Sequence, residues 1–389
     1  MMIGEGSLKM NILKNRSLTL TCGRGITPYL RREIEQLGYT ILSEHDRGVE
    51  VEASWDDAPR LNLCLRTALH VMYLLKKFSC RGPDELYREV AAISWEDIID
   101  PSEYVSVVSV VDTTRVNSSM FANQKVKDAV VDRLVEKYGK RPSSGPKRDN
   151  VVVNLFWNND NCWLYLDSSG NKLSDRGYRI MPHAAPLRET LAASLLLAAG
   201  YDGSSPLVNP MCGSGTLAIE AALIALNRAP GLLRNNFGFM HIKNFDGARW
   251  RLLRKEIKSR ARSKLPARII ASDIDKRAAD AAKKNARAAG VDGLIDFYVC
   301  DFTDTPVPRE KSIIILNPAY GFRLGKEIEL GRLYKSIGDF FKKKCSGHTG
   351  YIFTGNLDLA KQVGLRTSRR LVFFNADIEC RLLEYHLYK

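Results

Sequence analysis

The chain has no Cys-x-x-Cys pair, and its eight cysteines follow no regular spacing. That argues against a zinc ribbon or a disulfide framework, and the cysteines read as reduced, mostly buried small hydrophobes. With six histidines and no His/Cys cluster, no metal centre is expected. No apolar run approaches the ~18 residues of a membrane helix; "LAASLLLAAG" (191–200) is too short. The opening "MMIGEGSLKMNILKNRS" lacks the apolar core of a secretion signal, so a cytoplasmic protein without a membrane partner is expected. Internal repeats and low-complexity tracts are also missing.

What is present is an ordinary globular composition, 45% hydrophobic and 26% charged over 389 residues. At ~150 residues per domain, that length suggests two or three domains. The formal charge of +14 is unevenly placed. Residues 1–170 hold 22 Lys+Arg against 23 Asp+Glu, and the rest hold 36 against 21. A neutral half followed by a strongly basic half points to a polyanionic partner, nucleic acid first.

The neutral half reads as two α+β modules. "SLTLTC" and "RGVEVEAS" are strands, and "TPYLRREIEQLG" is a helix with Thr27 as N-cap and Gly38 as stop. A helix "DAPRLNLCLRTA" and a strand "HVMYLLKKF" complete a ferredoxin-like order. The second module has helices "DELYREVAAI" and "FANQKVKDAVVDRLVEKYG", a β-rich "YVSVVSVVDT", and the strand pair "NVVVNLFW"/"CWLYLDS". Residues 125–148 hold eight Lys/Arg and three Asp/Glu, and the loop "KRPSSGPKRDN" supplies Lys140, Arg141, Lys147 and Arg148. These four are candidate RNA contacts. From about Leu187 strands and helices alternate, the mark of a parallel α/β sheet.

The ends of those strands carry the chemistry. "LVNPMCGSGTLAIEAA" is a strand, a turn with Gly213 and Gly215, and a helix that Thr216 can cap. A dinucleotide fingerprint needs a third glycine and an acid ~20 residues on. Here the third glycine is absent and the next strand-end acid, Asp273, comes 64 positions after Asn209. In "RIIASDID", Asp273 suits ribose hydroxyls and Asp275 a helix cap; in "CDF", Asp301 can accept from an adenine amine beside Phe302. In "ILNPAYGFRLG", Asn317 and the Pro318 carbonyl offer two acceptors and Tyr320 a flat ring. That set suits a planar base with an exocyclic amine, although a plain Asn-Pro turn fits the segment taken alone.

Together "NPMCGSGT", "SDID" and "NPAYGFRLG" resemble the THUMP-containing RNA guanine-N2 methyltransferases, above all the bacterial large-subunit ribosomal RNA enzymes. "LSDRGYR" (173–179), "APLRETLAA" (185–193), "RAPGL", "FGF", "FDGARW" and "IEC" (378–380) extend the likeness over nearly the whole chain. The resemblance implies a ferredoxin-like module at 17–75, a THUMP RNA-binding domain at 76–168 and a Rossmann-like methyltransferase domain at 169–389 that uses S-adenosylmethionine. It also implies roles for single residues. Asn209, Gly213 and Gly215 would cradle the methionine part of the cofactor, Asp273 the ribose, and Asp301 and Phe302 the adenine. Pro210, Cys212, Thr216 and Ile274 adjoin them in the same set, and Asn317, Pro318 and Tyr320 would be catalytic. One departure stands out: Ala319 replaces the family's second proline, so the loop should be less rigid while the Pro318 acceptor remains.

A basic segment, 249–268, holds nine Lys/Arg and one Glu. Its helix is expected to begin near the cofactor edge and to line an RNA path through Arg254, Lys258 and Arg262; "RTSRR" (366–370) is a weaker candidate. The sequence thus reads as a cytoplasmic enzyme forming N2-methylguanosine in RNA, 23S ribosomal RNA first. The alternatives are a transfer RNA guanine-N2 methyltransferase, a DNA or protein methyltransferase that reuses the Asn-Pro-x-Tyr motif, and an inactive RNA-binding assembly protein.

Overall fold

Two seven-stranded sheets carry the chain in a computed structural model that describes residues 16–116, 118–181, 187–321 and 327–388. The first sheet is built from β1 (Ser17–Cys22), β2 (Thr40–His45), β3 (Gly48–Glu52), β4 (Ala68–Ser79), β5 (Val105–Asp112), β6 (Val151–Asn158) and β7 (Asn161–Asp167). It is covered by α1 (Thr27–Gln36), α2 (Ala58–Cys64), α3 (Pro83–Ala91) and α4 (Ser119–Tyr138), and its order is β2-β3-β1-β4-β7-β6-β5.

β4 pairs with β1 on one edge and β7 on the other, over twelve residues. The boundary expected between residues 75 and 76 falls inside this one strand, so the two modules share it. β2 was not foreseen. Five of its six residues are exposed, so no alternation marks it in the sequence. Thr27 is also not the cap of α1, which is Ile26. The Thr27 hydroxyl is instead shared between the carbonyls of His45 and Asp46.

The second sheet is built from β8 (Leu207–Pro210), β9 (Ile269–Asp273), β10 (Ile295–Val299), β11 (Ile313–Leu316), β12 (Thr349–Thr354), β13 (Arg369–Asn375) and β14 (Ile378–His386). Its helices are α5 (Glu189–Ala198), α6 (Thr216–Ala225), α7 (Gly247–Ser259), α8 (Lys276–Ala288), α9 (Glu327–Lys344) and α10 (Leu357–Lys361). The order is β10-β9-β8-β11-β12-β14-β13, with β8 to β12 parallel and β14 antiparallel to both its neighbours. The chain moves outward from β8 through β9 and β10, then returns to β11 on the other side. Such a reversal opens a crevice at the carboxyl ends of the strands, where open α/β sheets bind ligands.

α5 (ETLAASLLLA) and α6 (TLAIEAALIA) are apolar nearly all round, which a helix tolerates only when covered on every side. One polar exception, Glu220 on α6, is wholly buried. Its carboxylate meets the Arg176 guanidinium at 3.6 Å and accepts from the Tyr178 hydroxyl at 3.1 Å. Arg176 also donates to the carbonyls of Leu173 and Arg66, so the "SDRGYR" stretch ties α6 to the N-terminal module. A second seam lies at the join of the two sheets. Asn62 of α2 bonds both Ser168 and Ser169, and Arg234 donates to the carbonyls of Ser169, Asn171 and Lys172.

Burial raises the Glu220 carboxyl above its ordinary value, and Arg176 is the largest opposing influence. Arg176→Met should therefore destabilise the protein by ~3–5 kcal/mol near neutral pH, the usual effect of stranding a buried charge. A carboxyl with a raised folded-state pKa favours the protonated form, so the deficit should shrink as pH falls. Urea unfolding of both proteins at two pH values reads this; a pH-independent deficit would contradict it.

Candidate active site

After β8 the chain turns through Met211 (φ 63°), Gly213 (φ 55°) and Gly215 (φ 83°) into α6. Met211 holds a left-handed conformation that side-chain-bearing residues rarely adopt, so the turn is strained. Gly215 is required twice. Its φ favours glycine, and an added Cβ would stand 2.9 Å from the Ala282 Cβ on α8. Gly215 is also the N-cap, and Thr216, expected in that role, is instead the first residue of the helix, buried like Cys212.

The turn is fastened to β9. Asp273 Oδ2 accepts from the Gly213 amide at 2.9 Å, and its Oδ1 accepts from the Asp275 amide at 3.0 Å. These bonds fix the carboxylate and leave lone pairs for further donors such as ribose hydroxyls. Asp275 caps α8 through the Arg277 amide at 2.9 Å. Beside Asp273, Ile274 is 71% exposed, an apolar side chain bare at the crevice. Farther along the same edge, Asp301 Oδ1 accepts from the Thr303 amide and hydroxyl, leaving Oδ2 for another donor. Phe302 is buried, edge-on to Phe340.

Across the switch point, Asn209 is wholly buried and its Nδ2 donates to the Ile315 carbonyl at 2.9 Å. Among the described residues, its buried Oδ1 has no hydrogen-bond partner. The Oδ1 of Asn317, just past β11, is in the same state. Buried polar atoms are almost always satisfied, so two unpartnered amide oxygens on adjoining strand ends mark places that await donors. Pro318 is buried, Ala319 exposed and Tyr320 half-buried. Phe322 to Gly325 of the expected motif lie outside the described residues, as do Ala185 and Pro186.

Tyr320 is held by residues that sequence reasoning did not assign. Asn375, the last residue of β13, donates to its hydroxyl at 2.8 Å, and the Cys380 thiol of β14 approaches at 3.8 Å. The ring stands edge-on to Phe353 of β12. Burial is the main cause that pushes the Tyr320 hydroxyl up to about 12, so it stays neutral at ordinary pH. Cys380 belongs to the "IEC" stretch, which the sequence marks only as a family likeness. Nothing in the sequence signalled Asn375.

The expected basic path is partly overturned. The Arg254 guanidinium donates to the carbonyls of Leu232 and Arg234 and lies near Trp250, and desolvation lowers its pKa. Arg262 donates to the Ala225 carbonyl, at the end of α6 remote from the crevice. Charged side chains on α7 pair with the N-terminal module, Arg249 with Asp56 and Glu256 with Arg60. The helix therefore packs against that module instead of lining the crevice. Lys258 is exposed. In the first half, Lys140, Arg141 and Lys147 are exposed and Arg148 half-buried. Among the described residues, no three His, Cys, Asp or Glu side chains gather as a metal-ligand set.

Residues 176–384 match the model of the RMKL-like methyltransferase domain. The chain belongs to the RMKL-like methyltransferase family. Residues 17–72 match the RlmL ferredoxin-like domain and 80–167 the THUMP domain. The chain is 38% identical over 378 residues to a ribosomal RNA large subunit methyltransferase K/L of Syntrophotalea carbinolica, covering 94% of this chain and 53% of that protein. It is 35% identical to a putative RNA methyltransferase of Synechocystis, covering 95% and 96%. A solved putative methyltransferase in complex with SAH has a TM-score of 0.86 at 26% identity, covering 96% and 98%. The chain spans about half the length of the curated K/L relatives it matches.

RMKL-like methyltransferases use S-adenosylmethionine, and the residues here fit it. Among the described residues, Gly213 has open space where a side chain would stand, Asp273 keeps free lone pairs, Ile274 is bare, and Asn209 Oδ1 lacks a donor. Asp273→Asn should weaken S-adenosylmethionine binding by at least ~1.5–3 kcal/mol, the range for a charge-assisted hydrogen bond, because its NH2 also faces one of the two backbone amides that the carboxylate accepts from. Calorimetry on the folded variant measures it, and unchanged affinity would remove Asp273 from the site.

Proposed function

We propose that this chain methylates the exocyclic N2 of a guanosine in RNA, with 23S ribosomal RNA as the substrate and the bacterial cytoplasm as the setting. The observation that carries the reading is the Asn317 Oδ1, buried with no partner among the described residues, between the Asp273 crevice and the anchored Tyr320 ring. The resemblance of the whole chain to K/L relatives and its THUMP match support ribosomal RNA.

S-adenosylmethionine supplies an electrophilic methyl on a positively charged sulfur. The chain's own residues prepare the nucleophile. Asn317 Oδ1 and the Pro318 carbonyl accept the two amine hydrogens of guanine N2 and so localise a lone pair otherwise delocalised into the ring. Tyr320 stacks on the base, a contact worth ~1–3 kcal/mol. Most of the acceleration comes from alignment, which can contribute ~7–11 kcal/mol. A paired guanine must first be extruded, at a few kcal/mol, and RNA contacts elsewhere on the protein supply that energy. Lys140, Arg141, Lys147 and Arg148 are the proposed contacts in the THUMP part, and Lys258 a further one.

Transfer RNA is the second substrate to consider, since a THUMP module would serve there too. Mass spectrometry of ribosomal and transfer RNA nucleosides, with and without the gene, separates the two. An inactive assembly factor rests only on Ala319, and the retained Asn317 and Asp273 speak against it.

Asn317→Ala should slow the methyl-transfer step 10²–10³-fold, equivalent to ~2.7–4 kcal/mol for one lost transition-state contact, with cofactor and RNA affinity unchanged. Single-turnover transfer of labelled methyl at saturating reactants tests it; a near-normal rate would leave the motif as a turn. Reversing Lys140, Arg141 and Lys147 to Glu should flatten the dependence of log K on log salt by up to ~0.7–0.9 per lost phosphate contact. An unaltered slope would make that loop a solvated surface.

A further inference from the structure

The hairpin that anchors Tyr320 also meets the N-terminal module. Side chains alternate along β13. Phe373 is buried and stacks on Tyr29 of α1, with centroids 5.5 Å apart and planes 14° apart. Arg370, Val372 and Phe374 fall on the opposite face. Arg370 is exposed, and Val372 is 47% exposed. β13 and β12 both run antiparallel to β14, so the Asn375 end of β13 lies at the same sheet edge as Thr354 and Leu316. That edge is the catalytic rim.

The loop between β1 and α1 reaches this rim. Gly25 has φ 79°, and a Cβ there would stand 2.9 Å from the Val372 carbonyl and 3.2 Å from the Phe373 Cα. Glycine is what allows the loop to lie on β13. The neighbouring Arg24 then places its guanidinium 4.1 Å from the centroid of the Phe374 ring. Its side chain is 52% exposed, and its ion-pair partner at 3.3 Å is Asp46, which is more exposed still. Exposed pairs of this kind are weak and can yield to a phosphate. Arg24 thus joins an aromatic on one side with solvent on the other, at the same end of β13 as Asn375 but on the opposite face of the strand.

We propose that Arg24 and Phe374 form a platform that holds the RNA nucleotide flanking the guanine in the catalytic pocket. The inference rests on the RNA-methylation reading. Extruding a base deprives its neighbour of a stacking partner, and a guanidinium plane can replace that partner while its N–H groups reach the adjoining phosphate. Phe374 holds the guanidinium in place from beneath. Ile378, 47% exposed, extends the apolar rim on the Tyr320 face, and Arg370 continues the positive track on the Phe374 face of β13. The ferredoxin-like module therefore contributes directly to the substrate side of a site whose chemistry lies in the other half of the chain.

The test uses the full chain, unmodified large-subunit ribosomal RNA made by transcription, and labelled S-adenosylmethionine. Arg24→Ala should raise both the RNA Kd and the RNA KM about tenfold, within the range found when a base-stacking side chain is removed. The kcat should stay within about twofold and the cofactor Kd should not move. Arg24→Lys, which keeps the charge but not the plane, should recover less than half of the loss on a logarithmic scale. Phe374→Leu should reproduce much of the Arg24→Ala effect and add little to it in the double variant. Wild-type Kd and KM in Arg24→Ala, at an unchanged Tm, would overturn the platform while leaving the enzyme reading intact. If the wild type transfers no methyl to guanine N2, that reading falls, and the RNA Kd of the variants still decides on Arg24. Full recovery by Arg24→Lys would reduce the site to a point charge and overturn the stacking role.

Discussion

The bond from Asn209 Nδ2 to the Ile315 carbonyl, 2.9 Å across the switch point, is the constraint on which the site depends. β8 and β11 pair in register only at Leu207–Ile313 and Val208–Ile314. Beyond that the strands part, and a side-chain amide takes over from the backbone ladder. The neutral bond itself contributes only ~0.5–1.5 kcal/mol, but losing it would strand a buried carbonyl at a cost of ~1–3 kcal/mol. Its larger effect is geometric. The strand that leads into the Gly213 turn and the strand that leads to Asn317 are held together where they diverge. Methyl transfer depends on such alignment more than on any acid or base, so on the proposed function a fixed separation between these two strand ends is what the fold contributes most to the reaction.

Around that tie the remaining bonds form short chains. Asp273 fastens the Gly213 turn to β9, and Asn285 of α8 bonds the carbonyls of Ser214 and Met181. Arg179 reaches Ser214 and Glu189, and Arg176 reaches Glu220 and the backbone of the N-terminal module. The cofactor turn is thus held from the sheet, from α8 and from the segment that precedes α5. Its strain at Met211 persists because the surroundings over-determine it.

Much of this was legible in the sequence because strand ends announce themselves. Short apolar runs closed by Asn209, Asp273, Asp301 and Asn317 have no packing reason to end on those residues. What stayed hidden has physical causes. β2 lies at a sheet edge with almost no buried face, so it leaves no period to read. The charge count of 249–268 was correct but uninformative about direction. Arg254 spends its guanidinium on two backbone carbonyls, and long side chains at the surface of one module become seam residues when another packs on them. Asn375 and Cys380 act through a contact some 55 to 60 residues distant in sequence, which no local pattern encodes.

Those two residues also bear on Ala319. A second proline at that position would stiffen the loop by fixing its own φ and restricting the residue before it. Ala319 does neither, and it is exposed, so it gains no rigidity from packing. Order at Tyr320 is imposed from outside the loop instead. Its hydroxyl is clamped to the β13–β14 hairpin, its ring meets Phe353 edge-on, and Gly355 leaves just enough room, since a Cβ there would press on the ring at 3.0 Å. The hairpin is in turn braced by Tyr29 of α1 stacked on Phe373, two residues from Asn375. Rigidity that a proline would supply locally is here drawn from the N-terminal module through β13. The Tyr320 ring and the ferredoxin-like module are therefore one mechanical unit, although some 250 residues of chain separate them.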